Sequence, residues 1–425
     1  MLPIVIVGGG ISGLATAYYL GKAGLPVRLI EKEPKLGGFL QTETIEGCTV
    51  ELGPDSFINS KPWARELIED LGIADQIIGS NDHLRATYIW KHGRFVPLPE
   101  GLTLMAPARL GPVFRTELLG WGSKIRMARD YLRRPKKHDG EDFSVAALVR
   151  RHYGEEVIDY LAEPLLAGVY GGDVNELSAA SVLPKFVEWE RKYGSLTRGA
   201  MKDALNSSGP LFGTLKKGFG QLVDELVRQT KAEFIQGAVE KIEQGYRVRV
   251  SGEWIETSNL VVACKPELVL PNLFPPMTYS SCTVVALIYR RSDIAHPLNG
   301  FGFLVPKRER KSIAACTWVG TKFNHRVPED RVLLRCFASS TRDVLAEMRE
   351  KMGITAEPLA RKDVAWPNSM PQYTVGHGDR LDLIEDMLKD LRGLHLVGNS
   401  YRGIGIPDCV RMAKQVAEKI IATCA

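Results

Sequence analysis

Gly8, Gly10 and Gly13 stand in G-x-G-x-x-G spacing directly behind Ile4, Val5, Ile6 and Val7. That β-branched run is too short for a helix and reads as a buried parallel strand. Ala15, Ala17, Tyr18 and Leu20 follow with helical periodicity to a stop at Gly21 and Gly24, and a second strand over 26–30 ends in Glu31. The chemistry this order suits is capture of a dinucleotide. Glycines let the backbone approach a pyrophosphate and a helix N-terminus offers unpaired N–H groups. A carboxylate about twenty residues on accepts ribose hydroxyls. A glycine turn alone is often only a turn, but here strand, helix and acid are in register.

A second glycine pair follows the acid at once, in Lys35-Leu36-Gly37-Gly38-Phe39. It resembles the extension with which flavin enzymes pack FAD and which nicotinamide dehydrogenases usually lack. FAD is therefore the expected cofactor, not NAD.

The rest of the chain must position this turn. Its 425 residues suit two or three domains, with 44% hydrophobic and 25% charged residues, ordinary for a globular protein. The first strand starts so early that no signal or transit peptide is expected, and no stretch reaches bilayer-spanning length. The seven cysteines, Cys48, Cys264, Cys282, Cys316, Cys336, Cys409 and Cys424, are scattered without C-x-x-C spacing. Reduced thiols in a cytoplasmic protein fit that pattern better than a disulfide framework or a zinc site. No metal-ligand spacing or hydrolytic triad is found among the histidines, and none is expected.

The net charge is only +5, yet residues 109–137 hold nine basic residues against Glu117 and Asp130. Val113, Phe114, Leu118, Leu119, Trp121, Ile125, Met127 and Leu132 interleave them. Two readings stay open: an interfacial helix on anionic lipid, or a solvated basic helix packed on its own domain. Nucleic acid is disfavoured, since no recognised binding motif accompanies the patch.

Further along, residues 48–57 read as a strand entering the Gly53-Pro54 turn, with a helix over 62–71. Residues 87–90 and 95–98 form a hairpin by their spacing around His92-Gly93. Helical periodicity over 144–151 and 155–166 is broken by 168–173, and 195–204 closes a further helical region. A glycine loop opens an amphipathic helix within 215–226. Alternating segments at 238–243 and 246–250 precede an apolar strand at 259–264, and 280–337 carries about four strands. The chain closes on a strand at 394–397, a glycine-spaced loop and a helix over 407–423, started by Pro407 and Asp408. The nucleotide domain thus opens and closes the chain, with the middle inserted.

Over most of its length the chain resembles the FAD-containing porphyrinogen oxidases of haem synthesis. The likeness is carried by residues 6–10, 51–54 (ELGP), 97–99, 168–173 (GVYGGD), Ser178, 300–306 (GFGFLVP), 370–373 with Gly376-His377, and Gly398-Asn399 with Gly405. It implies an α/β fold of the amine oxidase and glutathione-reductase type. A Rossmann-like FAD domain would be assembled from 1–85, 206–270 and 371–425. A β-sheet substrate domain would come from 86–100 and 271–370, and a helical, membrane-facing domain from 101–205.

The resemblance also implies roles. Gly8, Gly10, Ile11, Ser12 and Gly13 would hold the pyrophosphate, Glu31 and Lys32 the ribose, and Val239 the adenine through its backbone. Gly37, Gly38, Phe39, Gly53, Pro54, Trp366, Gly398, Asn399, Gly405 and Ile406 would surround the flavin. The helix at Pro407 would face its pyrimidine, where a helix N-terminus stabilises the charge left by hydride uptake. Leu304, Thr317 or Trp318, and Phe337 would clamp the pyrrole rings, with Gly172 behind the macrocycle. The implied reaction takes protoporphyrinogen IX or coproporphyrinogen III to the porphyrin, with molecular oxygen as acceptor, in a cytoplasmic protein on the inner membrane face.

One position departs from the family. Many relatives carry an Arg in the first hairpin strand for a substrate propionate, and here that position is Thr87. Period-two alternation would put Arg85 on the same strand face, so Arg85 is expected to replace the anchor. Two alternatives stay open: an amine oxidase or carotenoid desaturase, either of which would keep residues 4–38, and, of a different class, a flavin-free nucleotide-fold binding protein that shares the architecture. Neither of the two oxidases explains GVYGGD together with GFGFLVP.

Overall fold

In the computed structural model, residues 2–135, 140–204, 209–243 and 245–424 are described. Lys136, Lys137 and the boundary at 205/206 lie outside them. Ile4–Val7 is the middle strand of a parallel sheet ordered Ala232–Gln236, Val27–Glu31, Ile4–Val7, Leu260–Val262, Leu394–Leu396. Its strands come from the beginning, middle and end of the chain, as the α/β reading expects. Helix Ile11–Lys22 packs against the last helix, Ile406–Cys424, through an apolar core that includes Leu14, Ala17, Val410 and Ala413. The edge strand Ala232–Gln236 is absent from the sequence reading because none of its residues is fully buried and its sequence, AEFIQ, lacks an apolar run.

A second, seven-stranded sheet is ordered Ala360–Pro371, Tyr279–Arg290, Arg331–Ala338, Ile313–Trp318, Gly302–Leu304, Thr87–Lys91, Arg94–Pro97. The hairpin and the 280–337 strands foreseen above therefore share one sheet. Its edge strand Ala360–Pro371 is also unforeseen: it is half-exposed and contains Pro367, a residue tolerated only at a sheet edge.

The described residues of 102–135 and 140–204 are mostly helical around an apolar core. The expected break at residue 168 falls later. Helix Glu163–Tyr170 follows a π-helical turn, Ile158–Ala162, and ends at Gly171, whose φ of 60° is left-handed. In the basic segment, Val113, Leu118, Leu119 and Met127 are buried. Lys124 is turned inward onto the Phe114 carbonyl, 3.1 Å away. The exposed side of helix Trp121–Asp130 keeps Trp121, Ile125, Arg126 and Arg129, continued by Leu132 and Arg133. The segment thus packs on its own domain and still presents an amphipathic stripe.

Beneath that helix, His152 Nδ1 donates to Asp130 at 2.5 Å and Nε2 donates to Glu190 at 2.8 Å. Ser195 Oγ and Thr197 N donate to the other Asp130 oxygen, each at 3.0 Å. Burial alone would lower the His152 pKa, but the two carboxylates outweigh it and raise the value. A raised value means stability present below the unfolded pKa of about 6.5 and lost as pH rises through the folded one. The melting-temperature gap between wild type and His152→Gln is expected to be widest below pH ~6 and to narrow as pH rises. A gap independent of pH contradicts the charged reading.

Candidate active site

The glycine turn is built as its spacing requires. Gly8 has φ 110°, and a Cβ on Gly13 would lie 1.9 Å from the Gly8 oxygen. Glu31, at the end of its strand, accepts from the Gly9 N–H at 2.6 Å and from the Glu33 N–H at 3.0 Å. Lys32 points to solvent beside Glu33. The second glycine pair docks on the first: Gly37 N donates to Gly9 O at 2.8 Å, and a Cβ on Gly38 would lie 3.1 Å from Gly10 Cα. Beside Gly10 itself a Cβ would meet nothing within 4 Å. That free space lies at the N-terminus of helix Ile11–Lys22, where backbone N–H groups would be open to a pyrophosphate. Ser12 is buried, Ile11 is half-buried against the core of the parallel sheet, and Val239 starts the strand after Gly237, whose N–H donates to the Glu31 carbonyl at 2.8 Å.

Phe39 leads from the second pair to Gly53. A Cβ on Gly53 would lie 2.0 Å from the Phe39 oxygen, so only glycine allows this approach. Trp366 closes the group, donating from Nε1 to Leu52 O at 2.7 Å and meeting Phe39 edge-on at 5.1 Å. From the other end of the chain, Gly398 approaches Ala263, which also borders Gly8 and Gly13. The loop through Asn399 and Gly405 then enters the helix at Ile406 and Pro407. The structure thus links the two glycine pairs, Phe39, Gly53 with the following Pro54, and Trp366 by successive contacts, while Gly398 at the start of the 398–407 loop approaches Ala263 behind the first glycine turn.

Sequence reasoning left Tyr373 without a role, yet it holds that loop. Its hydroxyl donates to Asn399 O at 2.5 Å and accepts from Gly403 N at 3.0 Å. His377 stacks on the Tyr373 ring at 4.0 Å and donates from Nε2 to Tyr401 O at 2.8 Å. Burial lowers the His377 pKa, so the ring is a neutral support. Asp408, in the first turn of the last helix, is held by Lys61 Nζ at 2.6 and 2.8 Å.

The seven-stranded sheet supplies the opposite wall. Cross-strand pairing of Thr87 with Gly302, Gly302 with Thr317 and Thr317 with Arg335 defines one row; Leu304, Ala315 and Phe337 define the next. By alternation Thr87, Leu304, Thr317, Arg335 and Phe337 share a face. That face meets the nucleotide side, because Arg335 Nη2 donates to Gly53 O and Leu52 packs on Leu333. Leu304 and Ile404 also pack against the helical core, so three parts of the chain converge there. Trp318 does not join them. It is 1% exposed in the core of the far face, with Phe303, Cys336 and Leu334. Of the pair Thr317 and Trp318, only Thr317 faces the site.

Gly172 is locked in place by the motif 370–373: a Cβ there would lie 1.9 Å from Gln372 Oε1, while Gln372 Nε2 donates to Tyr170 O at 2.7 Å. Arg85 corrects an expectation. The strand begins at Thr87, and Arg85 belongs to the turn after the short helix Asp82–Leu84, so strand alternation does not reach it. It is exposed and pairs with Asp82 at 3.5 Å. Arg335 was missed, although a charge inside the apolar run VLLRCF is itself a signal.

A parallel sheet with a doubled glycine turn, closed by a C-terminal helix and walled by a second sheet, defines a dinucleotide-binding flavoenzyme fold. The chain belongs to the family of flavin containing amine oxidoreductases, whose model matches residues 11–421. It is 32% identical to the coproporphyrinogen III oxidase of Bacillus subtilis (strain 168), over 97% of this chain and 96% of that protein. It is 25% identical to the mitochondrial protoporphyrinogen oxidase of Nicotiana tabacum, over 99% and 94%. A solved structure from Exiguobacterium sp. 255-15, assigned as a protoporphyrinogen oxidase, superposes with a TM-score of 0.87 at 30% identity, covering 99% of both chains. The protein is an FAD-dependent oxidoreductase, and the residues around Gly10 fit that cofactor: free space at a helix N-terminus, a Glu31 carboxylate oriented by two backbone N–H groups, and a glycine-lined approach.

Proposed function

We propose that the chain oxidises a porphyrinogen to the porphyrin, with coproporphyrinogen III as the preferred substrate. The observation that carries this reading is the full-length likeness at 32% identity to the Bacillus subtilis coproporphyrinogen III oxidase. FAD supplies a two-electron hydride acceptor. The protein's part is placement. Leu304, Thr317 and Phe337 offer an apolar wall for the tetrapyrrole, and Gly172, fixed by Gln372, allows close approach from the helical side. Holding an activated methylene bridge at a fixed distance is most of the catalysis such a reaction needs. The N-terminus at Ile406 and Pro407 stabilises negative charge on the pyrimidine side. Molecular oxygen is the terminal acceptor in this reading, with release of peroxide. The test is porphyrin fluorescence growth on each porphyrinogen: faster turnover of coproporphyrinogen III supports the reading, and turnover of neither defeats it.

Contact with an anionic membrane surface belongs to the same proposal. Among the described residues no helix is long and apolar enough to cross a membrane. Trp121, Ile125 and Leu132 are 66%, 48% and 74% exposed along one stripe, flanked by Arg126, Arg129 and Arg133. Such a stripe lies in a lipid interface rather than across it. Anionic vesicles at low salt are expected to sediment the wild type. A Trp121→Ser/Leu132→Ser variant should stay in the supernatant with its activity on soluble substrate intact. Equal sedimentation of both, or of neither, speaks against the contact.

A further inference from the structure

Beneath Gly53 the buried charges do not balance. Asp55 receives Lys322 Nζ at 3.0 and 3.1 Å, and Arg335 Nη1 lies 3.2 Å from its other face. Ser56 Oγ also donates to Asp55, at 2.7 Å. The neighbouring Arg326 is matched one-to-one by Glu51, at 2.9 Å. Two cations therefore share one carboxylate, with side chains only 11%, 1% and 17% exposed for Lys322, Arg335 and Asp55. Arg335 Nε is buried without a partner. Lys322 Nζ also donates to Ser56 Oγ at 3.2 Å, and aromatic faces lie against both cations: Phe212 and Phe323 at 4.8 and 5.1 Å from Lys322 Nζ, and Phe337 at 5.3 Å from the Arg335 guanidinium. Burial would raise the Asp55 carboxyl, but Lys322 and Arg335 hold it well below the usual carboxylate range. Burial depresses Lys322, and Arg335 and Arg326 add to that against the pull of Asp55.

An uncompensated buried cation is costly unless a negative charge is to appear beside it. Arg335 Nη2 donates to Gly53 O, and Gly53 touches Phe39 and follows Leu52, the acceptor of Trp366. We propose that Arg335 and Lys322, sharing Asp55, are positioning residues whose surplus positive charge stabilises the negative charge of reduced FAD from the Gly53 side. They would complement the helix N-terminus at Ile406. This rests on the reading of Gly53 and Pro54 as flavin neighbours.

The sign of the charge makes the inference testable on the holoenzyme. Arg335→Met and Lys322→Met each leave a matched pair with Asp55, whereas Asp55→Asn leaves two cations unopposed. Two readouts are the reduction potential of the bound flavin and its dissociation constant for sulfite. Sulfite forms an N–S bond to the oxidised ring and sends an electron pair to the pyrimidine. Arg335→Met and Lys322→Met are expected to lower the potential and weaken sulfite binding about tenfold. Asp55→Asn should move both the other way, and Arg335→Lys should stay near wild type. A merely structural role would not reverse sign with the charge removed. If Asp55→Asn fails to fold, the contrast between Arg335→Met and Arg335→Lys decides. Unmoved values in the two Met variants, with flavin bound, overturn this inference alone; a wild type that holds no FAD overturns the flavin reading together with it.

Discussion

Gly10→Val is expected to give a folded protein that purifies without flavin. Gly10 has φ −72°, a conformation any residue adopts, and a Cβ there meets nothing within 4 Å. The loss of an ordinary helix cap position costs the fold no more than about 1 kcal/mol. A valine side chain would, however, occupy the space between the helix N-terminus and Gly38 through which a pyrophosphate must approach the backbone. A loss of at least about a hundredfold in FAD affinity, ~2.7 kcal/mol, is expected. Absorbance at about 450 nm should vanish while far-ultraviolet dichroism is retained. Gly13→Val makes the contrast, since its Cβ would meet the Gly8 oxygen at 1.9 Å and the turn itself must break. A Gly10→Val protein that remains yellow would mean that the phosphates lie elsewhere.

The second large effect is on stability. Arg326 and Glu51 are both 2% exposed and paired at 2.9 Å. Glu51 also accepts from Phe219 N at 2.8 Å and Thr42 Oγ1 at 2.7 Å, while the Arg326 carbonyl accepts from Thr49 N at 2.8 Å. Three distant segments are joined here: the hairpin Thr42–Ile45 and Cys48–Glu51, the start of helix Gly220–Gln229, and the loop before Arg331–Ala338. Arg326→Met leaves the Glu51 carboxylate buried without a cation, a loss of about 3–5 kcal/mol. Arg326→Met/Glu51→Gln removes the stranded charge and should recover part of it. Urea midpoints of the three proteins measure this. A single variant as stable as the double would show that the pair adds nothing beyond its separate residues.

The two ends of the nucleotide domain were legible in the sequence because their signals are local. A strand, a glycine turn, a helix and an acid follow one another within residues 4–31, and Pro407 with Asp408 marks the last helix. Edge strands were not legible. Ala232–Gln236 and Ala360–Pro371 bury one face at most, and their pairing partners are far away in sequence. Arg85 shows the limit of period-two reasoning: alternation holds only inside a strand, and the chain turns before Thr87. Thr317 and Trp318 needed the register to Arg335 and Leu334 before their faces could be told apart. The Asp55, Lys322 and Arg335 cluster joins segments more than 250 residues apart in the case of Asp55 and Lys322, so no spacing rule could reveal it.

If the two sheets hold a tetrapyrrole against bound FAD, the substrate must empty its electrons into the protein without any other reagent. Coproporphyrinogen III mixed with the oxidised protein under strict exclusion of oxygen measures this directly. The expected result is bleaching of the absorbance at about 450 nm together with porphyrin fluorescence, and recovery of the yellow colour when air is admitted. A flavin that stays oxidised beside intact porphyrinogen would contradict the proposal at its centre.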